Sequence, residues 1–196
     1  MNGAEAVNGR YYGGRATGYE ERRSNRAFWG KEHAAVESML ADLPRGASIL
    51  DIPVGTGRYA SIYKRLGLVA VGMDVSTDML DVARDNINKI SLAMDVRVGD
   101  ARAIDAENAS FDTAVCTRLV NWFLPDEMSL TVSELLRVVR RRVIISVGLG
   151  PRLSDKGNKP HEPKAFARAV KLAGGIEQGR VEISRGYYMI QLGRRP

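Results

Sequence analysis

Short apolar runs alternate along this chain with amphipathic stretches. Apolar residues recur at helical spacing from residue 27 to residue 43, which predicts a first helix. After it, apolar runs bounded by polar turns predict strands, and most are followed by another helical pattern. The predicted strands cover residues 48–51, 68–73, 94–98, 111–116 and 143–147, and the later helices cover 59–66, 79–87, 128–139 and 166–173. This alternation predicts an α/β fold with a parallel sheet covered by helices on both faces.

The end of the chain has a different pattern. Residues 176–183 and 187–192 alternate apolar with polar positions on either side of Arg185-Gly186, which predicts an antiparallel hairpin. Between the fifth strand and the last helix, the polar segment 148–163 is expected to be a loop. The basic triplet 140–142 is expected to cap the helix before it, where cations complement the helix dipole.

Composition narrows the function classes only a little. The length of 196 residues suits a single domain over 27–196, preceded by a flexible segment, 1–26. The net charge of +6 is scattered, so it does not define a nucleic-acid site. With two histidines and the single Cys116, which lies in an apolar strand and should be buried, no metal site is expected. The sequence has no leader-like or membrane-spanning apolar run, so we expect a cytoplasmic protein without a membrane partner.

A glycine turn follows the first predicted strand, which ends in Asp51. Gly55 and Gly57 can take backbone angles closed to other residues, and the next helix offers unpaired N–H groups to a ligand. The second strand ends at Asp74, nineteen residues after Gly55, where a parallel neighbour would place its carboxylate against a ribose diol. Because Gly55-x-Gly57-x-x-Ala60 also satisfies the dinucleotide fingerprint, a nicotinamide-dependent oxidoreductase stays open on these residues alone.

The order of motifs resembles the class I S-adenosylmethionine (SAM)-dependent methyltransferases. Their first motif, a strand ending in an acid before a Gly-x-Gly loop, is matched by Asp51-Ile-Pro-Val-Gly-Thr-Gly, although Pro53 supplies no N–H to a cofactor. Segments 74–80, 98–101 and 111–118 match the later motifs in order. The resemblance implies SAM as cofactor and a doubly wound, seven-stranded, mostly parallel sheet. Its reversed final strand would come from the hairpin, which favours SAM over a nicotinamide cofactor.

The resemblance also implies a set of cofactor-binding residues. Asp74 would hold the ribose hydroxyls, segment 75–80 would flank the adenine, and Asp100 would lie near the adenine amino group. Thr117 and Arg118 would contact SAM, and Tyr19 belongs to an N-terminal segment expected to fold over it as a lid. The implied cofactor residues are Asp51, Pro53, Gly55, Thr56, Gly57, Asp74, Val75, Met79, Gly99, Asp100, Ala101, Thr117, Arg118 and Tyr19.

The acceptor half of the site is less defined, and no catalytic residue can be named. Methyl transfer relies mainly on positioning, so a dedicated base is optional. The candidates for acceptor contacts are Arg118, Asn121, Trp122, Phe123, the segment 156–161, Tyr187 and Tyr188. The chain lacks the Asn/Asp-Pro-Pro-Tyr/Phe and Pro-Cys motifs of nucleic-acid methyltransferases, so we expect a small-molecule acceptor at an oxygen, nitrogen or carbon. A macromolecular acceptor, RNA or protein, and a SAM-binding protein without transferase activity are the alternatives.

Overall fold

The computed structural model describes residues 27–150 and 159–195. Within these ranges the chain forms five α-helices, one short 3-10 helix and seven strands. In chain order they are α1 (Ala27–Leu40), β1 (Ser48–Asp51), α2 (Ala60–Leu66), β2 (Val69–Asp74), α3 (Thr77–Lys89), β3 (Asp95–Val98), β4 (Phe111–Cys116), the 3-10 helix (Val120–Trp122), α4 (Pro125–Val138), β5 (Val139–Gly148), α5 (Pro163–Leu172), β6 (Gly175–Ser184) and β7 (Tyr187–Arg194).

The strands form one mixed sheet in the order β3-β2-β1-β4-β5-β7-β6. Strands β1, β2 and β3 pair in parallel, as do β4 and β5. Strand β7 pairs antiparallel with both β5 and β6. The predicted α/β class, the seven strands and the reversed final strand are therefore confirmed.

The chain divides into two compact units, Met1–Asp100 and Ala101–Pro196. In the first unit, α3 presents Leu80, Ala83 and Ile87 to a buried cluster that also contains Val54 and Val96. The Ser76 hydroxyl accepts a hydrogen bond from the Met79 amide at 3.3 Å, so it caps α3. This cap begins the helix at Thr77, two residues before the apolar pattern predicted.

The second unit contains the largest difference from the predicted elements. Strand β5 begins at Val139, and the arginine triplet lies within the strand, so the prediction that it caps the preceding helix is wrong. Pairing of Val139 with Phe111 of β4 starts the strand early. Arg140 instead donates to Asp112 Oδ1 at 3.2 Å and to the Ala109 carbonyl at 2.7 Å. Contacts across the sheet therefore decide the role of these arginines.

Candidate cofactor site

The glycine turn after β1 is held by its own main chain and by β2. The Gly57 amide donates to the Val54 carbonyl at 3.0 Å, and the Val54 amide donates to the Met73 carbonyl at 2.8 Å. Gly55 and Gly57 have φ angles of 54° and 79°. These left-handed values favour glycine, so the local sequence suits this turn.

The two glycines of the turn have different surroundings. A Cβ built at Gly55 would meet no atom within 4 Å, so a ligand can approach the main chain from that side. A Cβ at Gly57 would lie 3.5 Å from Ile87 of α3. Gly57 therefore lies beside α3 with room for an ordinary van der Waals contact, while the side of Gly55 where a Cβ would lie is open.

Asp74, the last residue of β2, is fixed by main-chain donors. Its Oδ2 accepts a hydrogen bond from the Gly55 amide and its Oδ1 one from the Ser76 amide, each at 2.9 Å. Burial raises the pKa of Asp74, and the amides of Ser76, Gly55 and Val75 oppose that rise. Each carboxylate oxygen keeps acceptor capacity after one hydrogen bond. The Asp74 carboxylate is thus oriented beside the open face of Gly55 and can still accept hydroxyl donors.

Asp51, at the end of β1, has no such support. Its side chain is buried, and neither carboxyl oxygen has a hydrogen-bond partner among the described residues. Burial raises the pKa of Asp51 to about 7; the neighbouring Tyr63 hydroxyl and Arg58 oppose the rise, and the Asp74 carboxylate adds to it. A buried carboxylate without donors is costly, so this group suits a ligand that brings positive charge or N–H donors.

Tyr63 on α2 is a site residue that sequence reasoning missed. It is fully buried, and its hydroxyl lies near Asp51 without a hydrogen bond of good geometry. Burial, together with the negative charge of Asp51, raises the pKa of Tyr63 well above its ordinary value. In the sequence, Tyr63 is one more apolar position of a short helix, and nothing local distinguishes it from a core residue.

The turn residues between Asp51 and Gly57 are structurally constrained. Pro53 follows a cis peptide bond and is partly exposed. Thr56 is buried, and its carbonyl accepts a hydrogen bond from Asn86 Nδ2 of α3 at 3.0 Å. Thr56 therefore ties the turn to α3 through its main chain.

The predicted adenine-flanking residues differ in their exposure. Val75 is 37% exposed and available to a ligand, whereas Met79 is 3% exposed and packs inward. Gly99 lies against Met73, whose sulfur would be 2.8 Å from a Cβ at that position, so close packing requires glycine here. Asp100 is partly exposed at the end of the first unit. Val75 and Asp100 are thus accessible to solvent, whereas Met79 is not.

The other predicted cofactor residues belong to the second unit. Ala101 and Thr117 are buried. Arg118 has a φ of 61°, unusual for a residue with a side chain, and its amide donates to Ser146 Oγ at 2.7 Å. That hydroxyl is in turn 2.7 Å from the Tyr187 hydroxyl. The backbone after β4 is therefore held in one conformation by a polar chain from β5 and β7. Tyr19 lies outside the described residues, and its lid role stays a prediction.

The acceptor candidate Asn121 is a structural residue. Its Nδ2 donates to the carbonyls of Gly148 at 3.1 Å and Lys159 at 2.7 Å, and its Oδ1 accepts from the Gly148 amide at 2.8 Å. His161 is buried, and its Nε2 lies 2.8 Å from the Val120 carbonyl. These contacts join the segment after β4 to the end of β5, and they occupy both side chains.

The aromatic candidates that follow Asn121 are packed to different degrees. Phe123 is 8% exposed, and the Arg102 guanidinium lies 5.2 Å from its ring centroid, while Trp122 is partly exposed. Core packing thus accounts for Phe123, and Trp122 retains surface for a ligand. Residues 156–158 lie outside the described ranges.

Two features are absent from the described residues. No group of three or more His, Cys, Asp or Glu side chains there could hold a metal ion. None of the helices in ranges 27–150 and 159–195 has the length and apolar character needed to cross a membrane.

The known proteins that this chain resembles include methyltransferases. A family model described as "Methyltransferase domain" matches residues 49–142. Phosphatidylethanolamine N-methyltransferase of Cereibacter sphaeroides is 32% identical over 126 residues, which are 63% of this chain and 60% of that protein. tRNA (carboxymethyluridine(34)-5-O)-methyltransferase alkbh8 of Xenopus tropicalis is 25% identical over 107 residues, which are 54% of this chain and 16% of that protein. The chain thus spans less than two thirds of both relatives.

Solved structures share the fold. Magnesium protoporphyrin IX methyltransferase from Synechocystis PCC 6803 with bound SAM superposes with a TM-score of 0.79 at 15% identity, covering 100% of this chain and 98% of that one. The sheet with its reversed β7 and the glycine turn after β1 define a Rossmann-like methyltransferase fold. Together with the family match over residues 49–142, this fold makes the chain similar to the class I SAM-dependent methyltransferases.

Proposed function

We propose that this protein binds SAM and transfers its methyl group to an oxygen, nitrogen or carbon of a small-molecule acceptor. The observation that carries the proposal is the pair of acids beside the glycine turn. Asp74 is oriented by the Gly55 amide, and Asp51 is buried without a hydrogen-bond partner among the described residues. A ligand that combines hydroxyl groups with positive charge satisfies both.

SAM fits the donor set of these residues. The free acceptor capacity of Asp74 suits the two ribose hydroxyls, and the open face of Gly55 lets the ligand approach the main chain. Asp51 suits the cationic end of SAM, which carries an ammonium and a sulfonium charge. Bound SAM would supply a methyl group on a positively charged sulfur. The protein would contribute orientation and water exclusion, which can provide much of the rate enhancement in such a displacement.

The buried Asp51 links cofactor affinity to pH. With a pKa of about 7, the group is about half protonated at neutral pH in the absence of ligand. A cationic ligand favours the ionised form, so binding should strengthen between pH 6 and pH 8 and should release a proton near pH 7. A ligand that did not contact Asp51 would show neither effect.

Two of the three compared proteins support a small acceptor. By their names, they act on phosphatidylethanolamine and on magnesium protoporphyrin IX. The tRNA methyltransferase matches over 16% of its own length. This relative favours an RNA acceptor, so RNA is one of the acceptors to be tested.

An acceptor screen tests the proposal. The protein is incubated with methyl-labelled SAM and separately with a metabolite extract, total RNA and a protein fraction, with the Asp74→Ala variant as control. Label in the metabolite fraction that depends on Asp74 is the expected result. Label in RNA or protein would replace the acceptor class, and SAM binding without any transfer would indicate a non-catalytic SAM-binding protein. Absence of SAM binding would reject the proposal as a whole.

A further inference from the structure

Arg58 follows Gly57 directly and connects the glycine turn to α1. Its Nη1 donates to Glu32 Oε2 at 2.8 Å, and its Nη2 donates to the Trp29 carbonyl at 2.7 Å. The side chain of Arg58 is 9% exposed and that of Glu32 is 0% exposed. This is a buried ion pair, so removing one partner leaves an uncompensated charge in the interior.

The flat guanidinium of Arg58 also stacks on aromatic rings. Its central carbon lies 3.6 Å from the Trp29 ring centroid and 4.9 Å from the Tyr59 ring centroid. Two directed hydrogen bonds and a stacked face require the planar fork of arginine, which lysine cannot reproduce. The residue after the turn is therefore fixed against the first turns of α1 from several directions.

Arg58 acts on the site electrostatically as well as geometrically. Burial raises the pKa of Asp51, and the nearby Asp74 carboxylate raises it further. Tyr63 and Arg58 lower it. Among these neighbours Arg58 carries the positive charge. The pKa of His33 on α1 is lowered, first by burial and then by the positive charge of Arg58.

We propose that Arg58 is a positioning residue for the cofactor site: it fixes the glycine turn to α1 and supplies a positive charge near the buried Asp51. The inference deepens the proposed function and rests on it. A residue with a purely structural role would change stability alone. Arg58 should in addition move the pH at which SAM binding strengthens.

The test compares Arg58→Lys with Arg58→Met, by titrating SAM between pH 6 and pH 8.5 and by following unfolding over the same range. Arg58→Lys keeps the charge but loses the fork, so SAM should bind several-fold more weakly with the pH midpoint unchanged. Arg58→Met loses both the charge and the fork, so its pH midpoint should also rise. Together these would separate the geometric contribution from the electrostatic one.

Arg65→Met is the matched control. Arg65 also pairs with a glutamate of α1, Glu37, at 2.6 Å, but the two side chains are 50% and 37% exposed. An exposed pair contributes little, so this variant should keep the wild-type affinity and pH midpoint. A folded Arg58→Met protein with wild-type SAM affinity and pH midpoint would overturn the inference.

Two further readouts keep the test decisive. If Arg58→Met does not fold, Glu32→Gln is used: it leaves Arg58 without its counter-charge, so the midpoint should move down, and an unmoved midpoint would overturn the inference.

If wild-type protein does not bind SAM, the proposed function fails by itself. The effect of Arg58 on Asp51 is then measured in ligand-free protein. Arg58→Met, which loses the charge, should alter the pH dependence of unfolding, and Arg58→Lys, which keeps it, should not.

Discussion

Replacing Asp51 with asparagine should stabilise the ligand-free protein at alkaline pH while weakening cofactor binding. Asp51 has a pKa of about 7 in the folded protein against an ordinary value of 3.8. Between these values the unfolded chain has lost the proton and the folded chain keeps it. The wild-type protein therefore loses stability as pH rises through this window, and the asparagine variant has no such titration at this position.

The magnitude follows from the pKa difference of about three units. At 1.36 kcal/mol per unit, the ionised Asp51 lowers the free energy of unfolding by about 4 kcal/mol in total. About 3 kcal/mol of this falls between pH 5 and pH 8.5, because part of the titration of the unfolded chain lies below pH 5. For a domain of this length, that corresponds to a difference in Tm of roughly 6 to 12 °C.

The assay is denaturant unfolding of wild type and Asp51→Asn at pH 5, 7 and 8.5 without ligand. The control is Asp81→Asn, because the Asp81 side chain is 72% exposed on α3 and its removal should give parallel curves. The stability difference between Asp51→Asn and wild type should grow by about 3 kcal/mol from pH 5 to pH 8.5. SAM affinity at pH 8 should fall at least about tenfold, as expected for losing a charged contact. Parallel pH curves for Asp51→Asn and wild type would refute this account of Asp51.

Three other substitutions test separate parts of the structure. Asp74→Ala should weaken SAM binding by about 1 to 3 kcal/mol, because two ribose hydroxyls lose their acceptor; an unchanged Kd by calorimetry would exclude that role. Gly57→Ala should cost about 1 to 3 kcal/mol of stability in thermal unfolding, because an alanine must hold a φ of 79° there, and an unchanged Tm would contradict the observed turn. Asn121→Ala should lower the free energy of unfolding by about 2 to 4 kcal/mol, since it removes three hydrogen bonds, two of them buried; a loss below about 0.5 kcal/mol in urea titration would show that they contribute little.

The parts of the site that the sequence could predict are those set by local pattern and spacing. Asp51 and Asp74 each end an apolar run, and parallel pairing of β1 with β2 brings the two strand ends to the same edge. The left-handed turn at Gly55 follows from its own residue type. The reversed strand β7 follows from alternation around Gly186. In each case a short stretch of sequence carries its own signal.

The parts that were missed depend on contacts between distant segments. Glu32 occupies an ordinary polar position of an amphipathic helix, yet it is fully buried. Its charge is neutralised by Arg58, which lies 26 residues further along the chain. The sequence of α2 indicates only that Tyr63 is a core aromatic, and its proximity to Asp51 appears only in the folded structure. The sequence indicates that Gly57 is a ligand contact, and its position beside Ile87 of α3 appears only in the folded structure. No local pattern records such partners.

The most direct test of the central claim is calorimetric titration of the wild-type protein with SAM near pH 7, in two buffers of different ionisation enthalpy. If the buried Asp51 carboxylate receives the cationic end of SAM, the protein should bind one equivalent and release about half a proton, with tighter binding at pH 8 than at pH 6. No binding at millimolar SAM, or binding with neither proton release nor pH dependence, would contradict the claim.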